Sequence, residues 1–465
     1  MRADWLRVRA ITVLKTANRQ SVGCERSRSP AITIHRTVNV CSPAAAEGNN
    51  GPENRYGTTL MRAGFEMAYF YDEGSDTTML HRAPRALYIH IPFCTNKCYY
   101  CDFNSFVLNG QPVDAYLDAL ALEMARTSAA LPPETIETVF VGGGTPTVLT
   151  PPQMTRFLKD VSEHFPLAAG VEFTMEANPG TTEPDKLAAM REGGVNRISF
   201  GVQSFDNGLL ERIGRIHNVD DVYRSLELAR AEGFRNLSID LMFGLPGQTP
   251  ELLEASVERA LALDLPHYSL YGLKVEENTL FHALYERNEL PLPSEDDELA
   301  MYLLIMNKLK AAGREQYEIS NFALPGFESR HNITYWRNEP YYGLGAGAHG
   351  YARGLRHVNI KGVQPYIDAA AERLPRLSEE TIPEAEAMED FMMVGLRMLE
   401  GVSNRDFAAQ FGGRGIEDLF GGVLEPLLAQ GLLERTPDGS GYRLSERGIP
   451  LGNEVFGAFI AALET

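Results

Sequence analysis

From residue 85 onward the chain alternates short, apolar, β-branched runs with longer amphipathic stretches, and this alternation restricts the fold more than any other feature. Strand patterns fall at 87–91, 138–141, 171–175, 197–200, 238–243 and 268–273. Helical patterns such as 113–128, 152–164 and 220–232 lie between them. Strands separated by helices are joined by crossovers and therefore run parallel. About six such units predict an α/β fold, an open or incomplete parallel (β/α) barrel over residues 85–375. Chemistry in such folds collects at the C-terminal ends of the strands.

A polar stretch at 374–383, ending in proline, reads as a break. Three helical patterns follow, at 384–399, 404–411 and 416–430. Two short strand patterns, 432–435 and 441–444, then flank Pro437-Asp438-Gly439, which reads as a hairpin. Helices followed by a hairpin predict a small winged-helix-like domain over 383–465. Such modules often bind DNA. Residues 384–465, however, carry fourteen acids against six Lys/Arg, a net of −8, the wrong sign for a phosphate backbone. A packing or lid role is expected, and no nucleic-acid partner.

The same argument applies to the whole chain, with its 465 residues and formal charge of −19. That charge is uneven. Residues 1–60 hold nine Lys/Arg and four Asp/Glu, about +5, which leaves −24 for the remainder. The basic segment lacks apolar periodicity, so residues 1–84 are set apart as an extension. One reading is an Arg-rich transit peptide, which would send the protein to a mitochondrion. The other is an upstream start, with Met61 or Met67 as the true first residue. No stretch approaches about 18 uninterrupted apolar residues, so no membrane span is predicted.

Two of the five cysteines, Cys24 and Cys41, lie in the extension; Cys94, Cys98 and Cys101 fall within eight residues. A secreted disulfide scaffold would use more cysteines and an even number. The close-set three point to a metal site in a reducing compartment. Their spacing, Cys-x3-Cys-x2-Cys directly after a strand, suits three irons of a cubane cluster, leaving the fourth iron open to a small chelating molecule. The alternative is a structural zinc completed by His90 or Asp102, although zinc usually draws on a second cysteine pair, which this chain lacks.

The cysteine spacing resembles the signature of the radical S-adenosylmethionine superfamily. The preceding His90-Ile91-Pro92-Phe93 resembles the branch that contains oxygen-independent coproporphyrinogen III oxidases and haem chaperones, and the likeness spans about residues 85–460. It implies a [4Fe-4S] cluster on Cys94, Cys98 and Cys101. It also implies S-adenosylmethionine, chelated to the open iron by its amino and carboxylate groups. Tyr88 and Tyr100 belong to the implied cofactor-binding set, as do Gly143, Gly144 and Thr145 of the glycine-rich turn after the second strand. Glycines there let backbone approach a ligand closely. Glu176 is implied to hold the cofactor's ribose, and Gln203 and Arg215 to touch the cofactor too. A guanidinium such as Arg215 prefers a carboxylate partner. Asp240 lies inside an apolar strand, where an acid needs partners, and is implied to sit near the adenosyl group. Gly345-Ala346-Gly347-Ala348-His349-Gly350 formally matches a dinucleotide motif, but its flanks do not read as strand and helix, so a glycine-rich loop is expected.

Two features discriminate within the branch. The decarboxylating enzymes carry a fourth cysteine two residues after the third, where this chain has Phe103. The segment Arg330-His331-Asn332-Ile333-Thr334-Tyr335-Trp336 resembles the His-Asn-x-x-Tyr-Trp motif of the haem chaperones, and Tyr317-Glu318-Ile319-Ser320-Asn321-Phe322 also matches the branch. The resemblance implies His331 as an axial haem ligand, with Asn332, Tyr335 and Trp336 as further haem candidates. The implied partners are haem, an acceptor haemoprotein such as a membrane-bound respiratory enzyme, and an electron donor, in a bacterial cytoplasm. The competing expectation is oxygen-independent coproporphyrinogen III oxidation. A third, radical chemistry on another substrate, stays open because the barrel motifs define the cofactor and leave the substrate undefined.

Overall fold

The computed structural model describes residues 83–463. The extension expected over 1–84 therefore lies outside the described residues except for its last two positions, as do Cys24 and Cys41. Twelve strands form one sheet: β1 (Ala86–Ile91), β2 (Ile136–Gly143), β3 (Leu167–Ala177), β4 (Arg197–Gln203), β5 (Asn236–Phe243), β6 (His267–Gly272), β7 (Glu315–Glu318), β8 (Asn321–Ala323), β9 (Tyr341–Leu344), β10 (His349–Ala352), β11 (Leu355–Asn359) and β12 (Arg376–Thr381). Their order is β12-β11-β10-β9-β1-β2-β3-β4-β5-β6-β8-β7. All six expected strands pair in parallel, in sequence order, as an open barrel-like sheet.

The sequence makes this sheet two-faced. Side chains alternate across a strand, so on β1 Leu87, Ile89 and Ile91 lie on one face and Tyr88 and His90 on the other. The apolar set of every parallel strand joins the helices in one buried cluster: Val139 and Val141, Phe173 and Met175, Ile198 and Phe200, Ile239 and Leu241. The opposite, inner face carries Thr138, Thr174, Glu176, Arg197, Ser199, Ser238, Asp240, His267 and Ser269, as the pairing register requires. Crossover helices include α1 (Val113–Ala130), α2 (Pro151–His164), α3 (Pro184–Glu192), α4 (Asn207–Arg212), α5 (Val219–Ala231) and α6 (Pro250–Ala262). Helix α2 starts where local chemistry dictates: Thr150 and Gln153 form a reciprocal capping box ahead of Pro151.

Two sequence expectations are corrected. The flank before the glycine-rich segment, which does not read as a strand, is a seventh parallel strand, β9, paired with β1; Gly345–Ala348 itself is a turn, as expected of a loop, and leads into antiparallel β10. Four residues show no period, which is why β9 does not read as a strand. A strand therefore precedes the Gly-x-Gly-x-x-Gly pattern, yet a strand rather than a helix follows it. The break expected at 374–383 contains β12, an edge strand antiparallel to β11. It reads as polar because its outer positions face water.

Beyond helices α7 (Leu280–Glu286), α8 (Glu295–Ala311), α9 (Arg330–Trp336) and α10 (Val363–Glu372), the C-terminal region holds α11 (Glu384–Gly395), α12 (Asn404–Gln410), α13 (Ile416–Ala429) and α14 (Gly452–Gly457). A three-stranded antiparallel sheet accompanies them, with β13 (Val402–Ser403), β14 (Leu433–Arg435) and β15 (Gly441–Leu444) in the order β13-β15-β14. Its core is a second cluster around Phe391, Phe407, Phe411, Phe420 and Phe459, which also takes in Trp336, Ile319 and Tyr341 from the large sheet's side.

Candidate functional site

The cysteine loop leaves β1 through Pro92 and is closed at its base. Phe93–Cys94 pairs with Phe106–Val107, and Phe106 N donates to Pro92 O at 2.7 Å. Its tip is tied to other crossovers: Asn96 Nδ2 donates to Gly214 O at 2.8 Å, Tyr99 N to Ile213 O at 3.1 Å, and Phe281 N to Tyr99 O at 3.1 Å. Cys94, Cys98 and Cys101 are free, half-buried thiols. Thr145 Oγ1 donates to Cys94 Sγ at 3.5 Å, and Arg215 Nη1 to Cys98 Sγ at 3.4 Å. Burial pushes the Cys94 thiol up and that of Cys101 up to about 11, so ligation of iron would displace protons. Among the described residues no three His, Cys, Asp or Glu side chains converge on one metal ion. Thiolates on a cubane need not converge, because each takes its own iron.

The ends of β2 to β5 form a polar rim beside this loop. At the glycine-rich turn the space is taken by the chain itself. A Cβ on Gly142 would meet Glu176 Oε2 at 2.5 Å, one on Gly143 the His90 ring at 2.3 Å, and one on Gly144 Phe93 O at 2.5 Å. The glycines thus let β1, β2 and β3 close on one another. Gly143 N donates to Glu176 Oε2 at 3.0 Å. Thr145 Oγ1, which bonds Cys94, accepts from Asn178 Nδ2 at 2.8 Å. His90 Nε2 lies 2.9 Å from Asn104 O, which can only accept, so Nε2 carries the proton and Nδ1 accepts from Tyr88 OH at 2.9 Å. Burial lowers His90 to about 4, keeping it neutral. Tyr88 stacks on Phe140, and Tyr100 lies against Phe281.

Gln203 ends β4 with φ 66° at a register shift against β5, the left-handed region that a non-glycine residue rarely occupies. Gly201 makes room beside it. A Cβ there would meet Arg215 Nη2 at 2.6 Å, Gln203 Nε2 at 3.0 Å and Asn178 Oδ1 at 3.1 Å, so three polar groups from three elements converge. Arg215 also donates to Gly201 O, while its buried Nε has no partner within the protein. A buried orphan donor beside the cysteine loop fits the carboxylate of S-adenosylmethionine. Asp240 accepts from Ser199 Oγ at 3.1 Å. Burial raises both Asp240 and Glu176, the latter to about 7, and the nearby Asp240 charge adds to the Glu176 shift. The rim thus holds two close, desolvated acids and one cation, a set suited to a polar, zwitterionic ligand.

The haem candidates lie elsewhere. His331 is fully buried on the inner side of β2, stacked on Phe140 with ring centroids 5.3 Å apart. Its Nδ1 is 2.9 Å from Thr138 Oγ1 and its Nε2 2.9 Å from Tyr335 OH, so both ring nitrogens are engaged. Tyr335 packs edge-on against Tyr341, and the Arg397 guanidinium lies 4.4 Å from the Trp336 ring centroid. Asn332 N donates to Ser329 Oγ at the helix cap. Sequence reasoning misses Asn178 and Asn104 as supports of the rim, and reads His90 only as part of the motif before the cysteines and as an alternative zinc ligand. Asn178, directly preceding a proline after Glu176, and His90, within that motif, are visible signals; for Asn104 there is none.

The radical SAM superfamily model matches residues 88–260, and that of the HemN C-terminal domain matches 382–451. The heme chaperone HemW of Bacillus subtilis is 47% identical over 381 residues, covering 82% of this chain and 100% of that protein. HemW of Lactococcus lactis is 43% identical over 377 residues, covering 81% and 97%. Among solved structures, the coproporphyrinogen III oxidase HemN of Escherichia coli, a radical SAM enzyme, superposes with a TM-score of 0.72 at 25% identity, covering 82% of this chain and 91% of that one. Membership of the superfamily implies a [4Fe-4S] cluster and S-adenosylmethionine. The chain belongs to the HemW family of the radical SAM superfamily.

Proposed function

We propose that this protein is a haem chaperone, binding haem and passing it to an acceptor haemoprotein. The observation that carries this reading is 47% identity along the full length of a protein named for that role. In this reading Cys94, Cys98 and Cys101 hold a [4Fe-4S] cluster. Arg215 takes the carboxylate of S-adenosylmethionine, Glu176 its ribose, and Gln203 and Asp240 the remaining polar atoms. Tyr88, Tyr100, Gly143, Gly144 and Thr145 shape the walls. When bound, the cluster supplies one electron and an open iron for chelation. The acceptor is a respiratory haemoprotein at the membrane, met from the cytoplasm; among the described residues no helix is long and apolar enough to cross a membrane. Iron ligation by His331 would require its ring to exchange Thr138 or Tyr335 for the metal.

Haemin titration of the anaerobically reconstituted protein tests the proposal. A saturable Soret band at one haem per chain, followed by loss of that band to an apo-haemoprotein, is expected. Absence of stoichiometric binding counts against it.

The likeness to the HemN structure favours one second reading, oxidative decarboxylation of coproporphyrinogen III. Against it stands Phe103, 59% exposed, where that branch has a thiol. A phenyl ring neither ligates iron nor donates a hydrogen atom as a thiol does. Protoporphyrinogen formation with S-adenosylmethionine and a reductant would restore this reading.

A further inference from the structure

Helix α9 carries the His-Asn-x-x-Tyr-Trp segment, and its contacts have two ends. The first end is bolted to the inner face of the large sheet. The Glu172 carboxylate on β3, almost fully buried, accepts from the backbone N–H groups of Arg330 and His331, each at 3.0 Å. Arg330 Nη1 donates to Gly170 O at 2.9 Å. Ser329 caps the helix, and its N–H donates to Tyr317 OH at 3.1 Å. Tyr317 OH in turn lies 2.9 Å from His267 Nε2, whose Nδ1 is 2.7 Å from Ser238 Oγ. His331 adds its bond to Thr138 on β2. Strands β2, β3, β5 and β6 are therefore all linked to one short helix.

The other end reaches the C-terminal domain. The Trp336 ring packs under the Arg397 guanidinium, which also lies 5.4 Å from the Phe456 ring centroid. Trp336 belongs to the hydrophobic cluster of that domain. Arg337 pairs with Glu400 at 3.0 Å. Next to this contact the two regions share backbone bonds: Leu399 N donates to Tyr317 O at 3.0 Å, and Ile319 N to Arg397 O at 3.2 Å. Tyr335 connects the ends through its hydroxyl on His331 and its ring on Tyr341.

We infer that α9 is a docking strut that holds the C-terminal domain against the inner face of the barrel, with His331 and Trp336 as positioning residues and His331 making no bond to haem iron. An axial ligand needs an exposed nitrogen lone pair. His331 offers none, since it is enclosed and bonded at both nitrogens. A strut needs both ends held by several directed contacts, and α9 has them at each end. The inference leans on the haem reading only for its iron readout; the docking readout is made on the haem-free protein.

The test combines amide hydrogen exchange of haem-free full-length protein with haemin titration of the reconstituted protein. In His331→Ala and in Trp336→Leu, the amides of Ile319 and Leu399 are expected to exchange about tenfold faster than in wild type, with the cysteine loop unchanged. His331→Gln, which can still bond Thr138 and Tyr335, is expected to recover most of the protection. The Soret position and the axial-ligand signature in magnetic circular dichroism stay those of wild type in His331→Ala. Tyr335→Phe is the mild variant that keeps the fold. It frees His331 Nε2, so it leaves haem affinity unchanged under the strut assignment and tightens binding if His331 ligates iron. Loss of the ligand signature in His331→Ala with unchanged exchange overturns the inference, as does tighter binding in Tyr335→Phe. If wild-type protein binds no haem at all, the chaperone reading fails while the exchange result still decides the strut.

Discussion

Replacing Glu176 with Gln removes a carboxyl that burial and the neighbouring Asp240 charge raise from 4.5 to about 7. The amide keeps an acceptor for the Gly143 N–H and loses only the ionisable group. A shift of that size corresponds to about 3 kcal/mol at 1.36 kcal/mol per unit. Glu176 retains some solvent contact, so about 2 kcal/mol is the reasonable figure after screening. The folded carboxyl binds its proton more tightly than the unfolded one. Its penalty is therefore absent below pH 4.5, grows as the pH rises to 7, and is complete above 7. Urea unfolding of cofactor-free protein at pH 5 and pH 8 measures this. Wild type is expected to lose about 2 kcal/mol more than Glu176→Gln between the two values, and the variant to be the more stable at pH 8. Equal pH slopes, or a variant less stable at pH 8, would refute the reasoning. Because the two acids titrate as a pair, Asp240→Asn should lower the Glu176 midpoint and narrow the window.

Gly201→Ala is expected to weaken S-adenosylmethionine binding by more than about tenfold, read by equilibrium dialysis, because its Cβ would press on Arg215, Gln203 and Asn178 together. Glu123→Ala, on α1, should destabilise by about 3 kcal/mol in denaturant. It strips the buried partner from Gly345 N (2.8 Å), Asn359 Nδ2 (2.6 Å) and Tyr366 OH (2.5 Å). Any one of Cys94→Ala, Cys98→Ala or Cys101→Ala should abolish the broad iron–sulfur absorption and most bound iron after reconstitution, with the secondary-structure circular dichroism unchanged. A full iron complement in any of the three would remove that residue from the ligand set.

Much of this protein is written in short-range pattern. Strands β1 to β6 are legible because each has a consistent inward and outward set, as in Leu87-Tyr88-Ile89-His90-Ile91, and because parallel strands must be spaced by helices. The cysteine cluster is legible because all three thiols lie in one loop, so sequence spacing and spatial proximity coincide. The hairpin β14–β15 shows through its Pro-Asp-Gly turn. Strand β9 does not show. Four residues carry no period, and its partner β1 lies some 250 positions earlier in the chain, a pairing that no local pattern encodes.

What only the tertiary structure decided is which groups are already satisfied. The sequence alone determined that a histidine stands at 331 beside aromatic residues, and that type and neighbourhood suit haem. Whether its nitrogens are open depends on Thr138, which is 193 residues away, and on the face of β2 that meets α9. Likewise Gly142, Gly143 and Gly144 mark a close approach in any reading, but only the packed strands reveal that the approaching groups are Glu176, His90 and Phe93. Gln203 gives no local sign of its left-handed backbone, which the register shift against β5 imposes. Hydrogen-bond partners and burial are properties of distant segments brought together, so the chain states which chemistry is on offer and the packing decides which of it remains free to act.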